Sequence, residues 1–218
     1  PGAGAMVDLS PLGSDLTWRL VPVVVNGQVA GYLALIGPTG ELDELDRLAV
    51  ESGALVCAAE LAKEQAVAAV ADRARGDFLF RLVRAPAGEE ANWRQQAREL
   101  GYELAGSHVV ASFGLRAGNG GWLGRVAVRL RERLAPEGLR ALVAQQAGEL
   151  LLAARVASEE QAGAFIRLVD EVAHWARSQG AGPLAVGSGR VGGEVSGLRA
   201  SAVQAREARQ VAGELFAD

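Results

Sequence analysis

Apolar and polar positions along the chain change period several times, and each change marks an element. Thr17 to Val25 is rich in β-branched and aromatic residues, Gln28 to Ile36 is a second such run, and Asn26-Gly27 lies between them. Two apolar runs flanking Asn-Gly predict a β-hairpin, because that dipeptide accepts the left-handed backbone of a two-residue turn. Gly37-Pro38-Thr39-Gly40 stops the second strand. From Glu41 the period becomes helical, with Glu41, Asp43 and Glu44 giving an acidic first turn that complements the helix dipole. Leu42, Leu45, Leu48, Leu55 and Val56 form a wide apolar face, and alanine dominates from Ala58 onward. The series Leu45, Leu48, Ser52, Leu55, Ala59, Ala62, Ala66, Ala69 alternates steps of three and four, the spacing of a coiled-coil seam. It predicts pairing with a second copy through Leu45, Leu48, Leu55 and Ala59, although burial within the chain explains the first half of the face equally well. Residues 1–16 read as a flexible lead-in.

The second half begins with Asp77 to Arg84, a short amphipathic helix with Phe78, Leu79, Leu82 and Val83 inward, ended by Ala85-Pro86-Ala87-Gly88. Glu89 to Leu100 reads as another helix with Gly101 at its C-cap. His108 to Leu115 reads as strand and Trp122 to Leu134 as helix. Leu139 to Gln145 and Glu149 to Val156 read as a hairpin around Gln146-Ala147-Gly148. Ser158 to Gln179 is a helix with Ser158 as N-cap, Pro183 to Val186 a strand, and Glu194 to Phe216 a last helix. The order β-α-β-β-α-β-α is ferredoxin-like. The predicted class is α+β in three parts: a hairpin over residues 1–40, a long linker helix and a short helix over 41–85, and a ferredoxin-like domain over 86–218.

Composition narrows the function. The chain has 218 residues, half of them hydrophobic and 22% charged, enough for one large or two small cores. The formal net charge is −4, and Lys63 is the sole lysine, so charge gives no nucleic-acid surface. The single cysteine, Cys57, excludes an internal disulfide and a cysteine metal cluster, and its apolar surroundings predict a small core residue. No apolar run approaches the ~18 residues of a membrane span and no signal peptide is evident, so a cytoplasmic protein without a membrane partner is expected. The opening PGAGAM places the first methionine at Met6, as in a cut fragment or a vector-derived leader.

Candidate chemistry concentrates near residue 190. Gly187-Ser188-Gly189-Arg190-Val191-Gly192 matches G-x-G-x-x-G between a strand and a helix, a pattern that lets backbone approach a pyrophosphate at a helix N-terminus. A dinucleotide unit would need a second parallel strand beyond the helix, so a tight strand-to-helix turn is the preferred reading. A small-anion site at Gly187, Gly189, Arg190 and Gly192 is the alternative. His108 and His174 are the only histidines, one at a strand start and one in mid-helix. Zinc is not expected, nor any other metal or cofactor. Asp170 and Glu171 are adjacent on a helix and face different ways. Trp18, Trp93, Trp122 and Trp175 read as core or interface, and Arg129 to Arg133 as a solvated helix face.

The stretch VGSGRVGGEVSGLRASAVQAREARQVA resembles the last strand and helix of the degenerate GGDEF-like domain in PucR/CdaR-type bacterial transcriptional regulators. The family pattern, a G-x-G-R turn followed by L-R-x-S-x-x-x-A-R-x-A, falls on Gly187, Gly189, Arg190, Leu198, Arg199, Ser201, Ala205, Arg206 and Ala208, and the likeness covers about residues 75 to 216. WRLVPVVVNGQVAGYLALIG resembles the C-terminal half of a GAF domain, whose first half has no counterpart here. Diguanylate cyclases share the fold and hold two divalent cations with several carboxylates. Here the first strand offers Ser112, Phe113 and Gly114, and the hairpin turn offers only Glu149, so no enzyme activity is expected. The resemblance implies a homodimeric regulatory region that relays a metabolite signal to a helix-turn-helix absent from this chain, so DNA would be bound only through that missing domain. A stand-alone, non-catalytic sensor of a small metabolite or nucleotide is the alternative.

Overall fold

The computed structural model describes residues 7–8, 16–38, 42–86, 88–115 and 120–215. The chain forms two compact units, residues 1–70 and 71–218.

In the first unit β1 (Val7–Asp8), β2 (Leu16–Val25) and β3 (Gln28–Pro38) make an antiparallel sheet in that order. Asn26 and Gly27 take φ values of 51° and 76°, the two left-handed residues the Asn-Gly turn requires. Part of the expected lead-in is therefore strand, since Val7 pairs with Leu20. The helix α1 (Glu44–Arg84) starts behind Asp43, whose carboxylate accepts from the Asp46 amide at 3.0 Å. Asp46 returns the bond to the Asp43 amide at 3.0 Å, a reciprocal cap. Val21 and Val23 alternate onto one sheet face and bury Val50 and Ala54 of α1, with Leu33, Leu35, Ala58 and Leu61 around them. Cys57 is exposed, not a core residue. It lies one position, about 100° of helix, from Ala58 on the packed stripe.

α1 runs unbroken for 41 residues. The separate short helix expected from Asp77 is its last two turns. Gly76 lies inside this helix and faces Ala144, where an added Cβ would meet the backbone at 3.5 Å, an ordinary van der Waals contact.

The second unit contains the end of α1, then α2 (Glu90–Glu99), β4 (Ser107–Leu115), α3 (Gly120–Leu134), β5 (Ala141–Gln146) and β6 (Glu149–Val156). It closes with α4 (Glu159–Ser178), β7 (Leu184–Ser188), β8 (Gly192–Gly193) and α5 (Glu194–Leu215). The sheet order is β5-β6-β4-β7, all pairs antiparallel, with β8 on the start of β4. This is the ferredoxin-like arrangement, and the protein is α+β. The two-residue β8 was not expected, since a glycine pair has no side-chain alternation to read. Ser158 caps α4, accepting from the Gln161 amide at 3.2 Å. Gly101 follows α2 with φ 74°.

Both sheet faces are covered, so β4 reads as a nearly continuous apolar run. On one face Val109, Ala111, Phe113, Leu150 and Leu152 pack against α3 and α4. On the other, Val110, Leu151 and Ala153 meet Phe78, Leu79 and Leu82 of α1 and Leu198, Ala202 and Ala205 of α5. Phe78, Leu79 and Leu82 are fully buried, each stabilising the fold by about 1.5–3 kcal/mol through area removed from water.

Candidate functional site

The glycine turn between β7 and α5 is filled by the helix itself. A Cβ at Gly187 would lie 2.2 Å from the Arg209 amide nitrogen and 2.3 Å from the Ala205 carbonyl oxygen. A Cβ at Gly189 would lie 2.0 Å from the Ser201 carbonyl oxygen, and one at Gly192 would lie 2.5 Å from that of Gly197. Bare glycines thus let the α5 backbone lie directly on the strand. The turn amides are also engaged: Gly189 donates to the Val110 carbonyl at 2.8 Å, Arg190 to Gln204 Oε1 at 2.9 Å, and Glu194 to the Gly106 carbonyl at 2.8 Å. Of the expected anion site at Gly187, Gly189, Arg190 and Gly192, what remains open is the Arg190 side chain, which is exposed.

The helix residues of the motif have matching tasks. Ser201 is buried, and its Oγ accepts from the Val110 amide at 3.0 Å, bridging the gap in β4 pairing between β7 and β8. Arg199 Nε donates to the Leu82 carbonyl at 2.9 Å, satisfying one of the orphan carbonyls at the end of α1. Its guanidinium lies 6.0 Å from the centroid of the Trp93 ring. Leu198 and Ala205 are buried in the core.

Arg206 reaches the start of β6. Its Nε and Nη2 donate to the two oxygens of Glu149 at 2.8 and 3.1 Å. Ser112 Oγ donates to Glu149 Oε1 at 2.9 Å, and Arg209 adds a guanidinium at 3.8 Å. Gly114 leaves room for that arginine, since a Cβ there would sit 2.2 Å from Arg209 Nη1. Burial pushes the Glu149 carboxyl up. The hydrogen bond and charge of Arg206, then Ser112 and Arg209, outweigh it and hold the group below its ordinary value.

A family model described as GGDEF-like domain matches residues 84–211, more than half of the chain. The chain belongs to the GGDEF-like domain family. No curated protein and no solved structure matches it. Within this GGDEF-like domain, the donors that a two-cation cyclase site needs do not fit. The β5–β6 turn supplies one carboxylate, already shared by two arginines and a serine, and β4 opposite it presents Ser112, Phe113 and Gly114. Among the described residues no group of three or more His, Cys, Asp or Glu side chains is placed to hold a metal ion.

The remaining candidates separate cleanly. His108 is buried beside Tyr102, with Nε2 3.4 Å from the Glu103 carbonyl oxygen, while His174 is exposed. Trp122 and Trp175 meet edge to face on α3 and α4, each under an arginine, and Trp93 packs on Phe78. Arg131 and Arg133 pair with Asp72 and Glu171. On α1 the expected pairing residues are unburied: Leu45 and Leu55 are 74% and 72% exposed, Leu48 is 47% exposed, and Ala59 is exposed. The hairpin packs on the adjacent stripe instead. Sequence reasoning missed the Glu149–Arg206 pair, although both residues were singled out separately. A lone acid in a tight turn and an arginine on the last helix are the signal that could have joined them. Among the described residues, no helix is long and apolar enough to cross a membrane.

Proposed function

We propose that this chain is the regulatory and dimerisation region of a PucR/CdaR-like bacterial transcriptional regulator, cytoplasmic and non-catalytic. In this reading the hairpin and the first half of α1 are GAF-like. α1 carries a metabolite signal toward a DNA-binding helix-turn-helix outside residues 1–218. The observation that supports it is the exposed seam of Leu45, Leu48, Leu55 and Ala59 on a helix whose other stripe is already packed. Large apolar side chains in register on a solvated helix face favour a second copy of the same helix. The engagement of Glu149, the β5–β6 turn's carboxylate, by Arg206 and Arg209 supports a domain that has kept the cyclase fold as a scaffold.

Light scattering on the purified chain tests the reading. The expected result is a dimer that Leu48→Asp with Leu55→Asp converts to a monomer, its thermal transition otherwise intact. A wild-type monomer at high protein concentration overturns it. Incubation with GTP and magnesium or manganese is expected to yield no cyclic dinucleotide.

A further inference from the structure

The second unit contains a cleft of about 350 Å³ that the motif residues do not touch. It lies between the Asp72–Arg75 turn of α1, the Gly101–Glu103 segment, the end of α3, and the β5–β6 edge of the sheet. Its volume falls within the range of small-molecule sites. Its floor is apolar, with the buried Leu134, Leu139, Leu142 and Val143 in the lining. Its rim carries Arg75, Arg131, Arg140 and Arg155 against two carboxylates.

Asp72 is neutralised by two guanidiniums, while Glu103 keeps its charge and makes one backbone hydrogen bond. Asp72 holds both Arg75, at 3.4 Å, and Arg131, at 3.1 Å. Glu103 Oε1 accepts from the Ala105 amide at 3.1 Å. Among the described residues, Arg140 and Arg155 have no acidic partner within salt-bridge distance. Two guanidiniums with free donors at the rim of a partly apolar cleft recognise an oxyanion on an apolar body, because planar forked donors match carboxylate and phosphate oxygens.

We infer that this cleft binds a small organic anion, with Arg140 and Arg155 taking the oxyanion and the apolar lining, Leu142 on their own face of the sheet included, taking the apolar part. The cleft lies within one unit and would bind its anion whether or not the chain is a transcriptional regulator. Asp72 and Arg75 on its wall belong to α1, so an occupant would touch the helix that carries the exposed seam.

Calorimetric titration of the full chain with phenyl phosphate, benzoate and inorganic phosphate tests this. Saturable binding of phenyl phosphate or benzoate is expected, tighter than that of inorganic phosphate, which cannot use the floor. The preferred probe tells a phosphate ester from a carboxylate. Arg140→Gln with Arg155→Gln should raise its Kd at least about tenfold, whereas Arg125→Gln, outside the cleft, should leave it unchanged. In wild-type protein, amide NMR shifts on titration should centre on residues 101–103 and 139–143, a readout that needs no folded variant. The proposal is overturned by no saturable binding up to about 10 mM, beyond weak specific affinities. It is equally overturned by an affinity indifferent to the double variant, or by shifts centred elsewhere.

Discussion

Two regions of this protein advertise function in the sequence, the glycine turn leading into α5 and the first half of α1, and they use their residues in opposite ways. Around the turn every conspicuous group but the Arg190 side chain has an internal partner. Gly187 and Gly189 face the α5 backbone, Ser201 completes β4, Arg199 caps α1, and Arg206 neutralises Glu149. Along α1 the opposite holds, for Leu45, Leu55 and Val56 are each about 70% exposed. A glycine-rich, arginine-rich motif is thus consistent with architecture alone, whereas an undistinguished run of leucine and alanine is left to meet something else. The discriminating property is whether each group is already satisfied within its own unit.

The largest effect should come from Gly187→Ala. The methyl group would overlap backbone atoms of α5, and backbone cannot rotate aside as a side chain can. A loss of about 3 kcal/mol or more is expected in urea unfolding of the second unit. A near-neutral result would mean that α5 does not lie so close to β7. Next is Glu149→Gln, which keeps the shape but leaves Arg206 and Arg209 without a counter-charge; about 1–3 kcal/mol should be lost at neutral pH. The same pair predicts acid sensitivity. Because the folded carboxyl titrates below its ordinary value of 4.5, its contribution is complete above that value and fades as pH falls through the lower folded one. Wild type should therefore lose stability on acidification below pH 4.5 more steeply than Glu149→Gln, and parallel curves would sink the assignment.

The seam behaves differently. Leu48→Asp with Leu55→Asp should abolish association while moving the chemical denaturation of the isolated monomer by no more than about 1 kcal/mol, since Leu55 is exposed and Leu48 about half so. A large stability loss would show that this face is buried after all. The smallest effect is expected of Arg190→Ala. Its side chain is exposed and its amide bond to Gln204 survives the substitution, so stability should stay within about 0.5 kcal/mol. A marked loss would reopen the turn as more than a packing device.

Much of this fold is legible in the sequence because its strongest signals are local. Asn26-Gly27, Ser158 and Gly101 each specify a backbone conformation or a cap at one place, and the element order from Ser107 to Leu215 follows from periodicity. The misreadings share a non-local cause. The helix expected to start at Asp77 instead continues α1, with Phe78, Leu79 and Leu82 buried against residues far along the chain. Cys57 looks like core because its neighbours are apolar, yet only the stripe one position away faces the hairpin. The candidate site is less legible still. Glu149 and Arg206 are 57 positions apart in the chain, and the cleft near Arg140 and Arg155 draws on five separate segments. No local pattern announces it.

The position of β4 has a consequence for how the protein is made. It is the second unit's first strand, yet it lies inside the sheet between β6 and β7, and its Val110 amide waits for Ser201. During synthesis the β4–β6 pair can form once Val156 is available, but the other edge of β4 stays open until the β7–α5 segment emerges. That edge carries Val109, Val110, Ala111 and Phe113, an apolar strand of the kind that pairs with other chains. Completion of this unit is therefore a late event on the ribosome. A nascent chain paused before Leu184 would be the form most prone to aggregate and most in need of a chaperone.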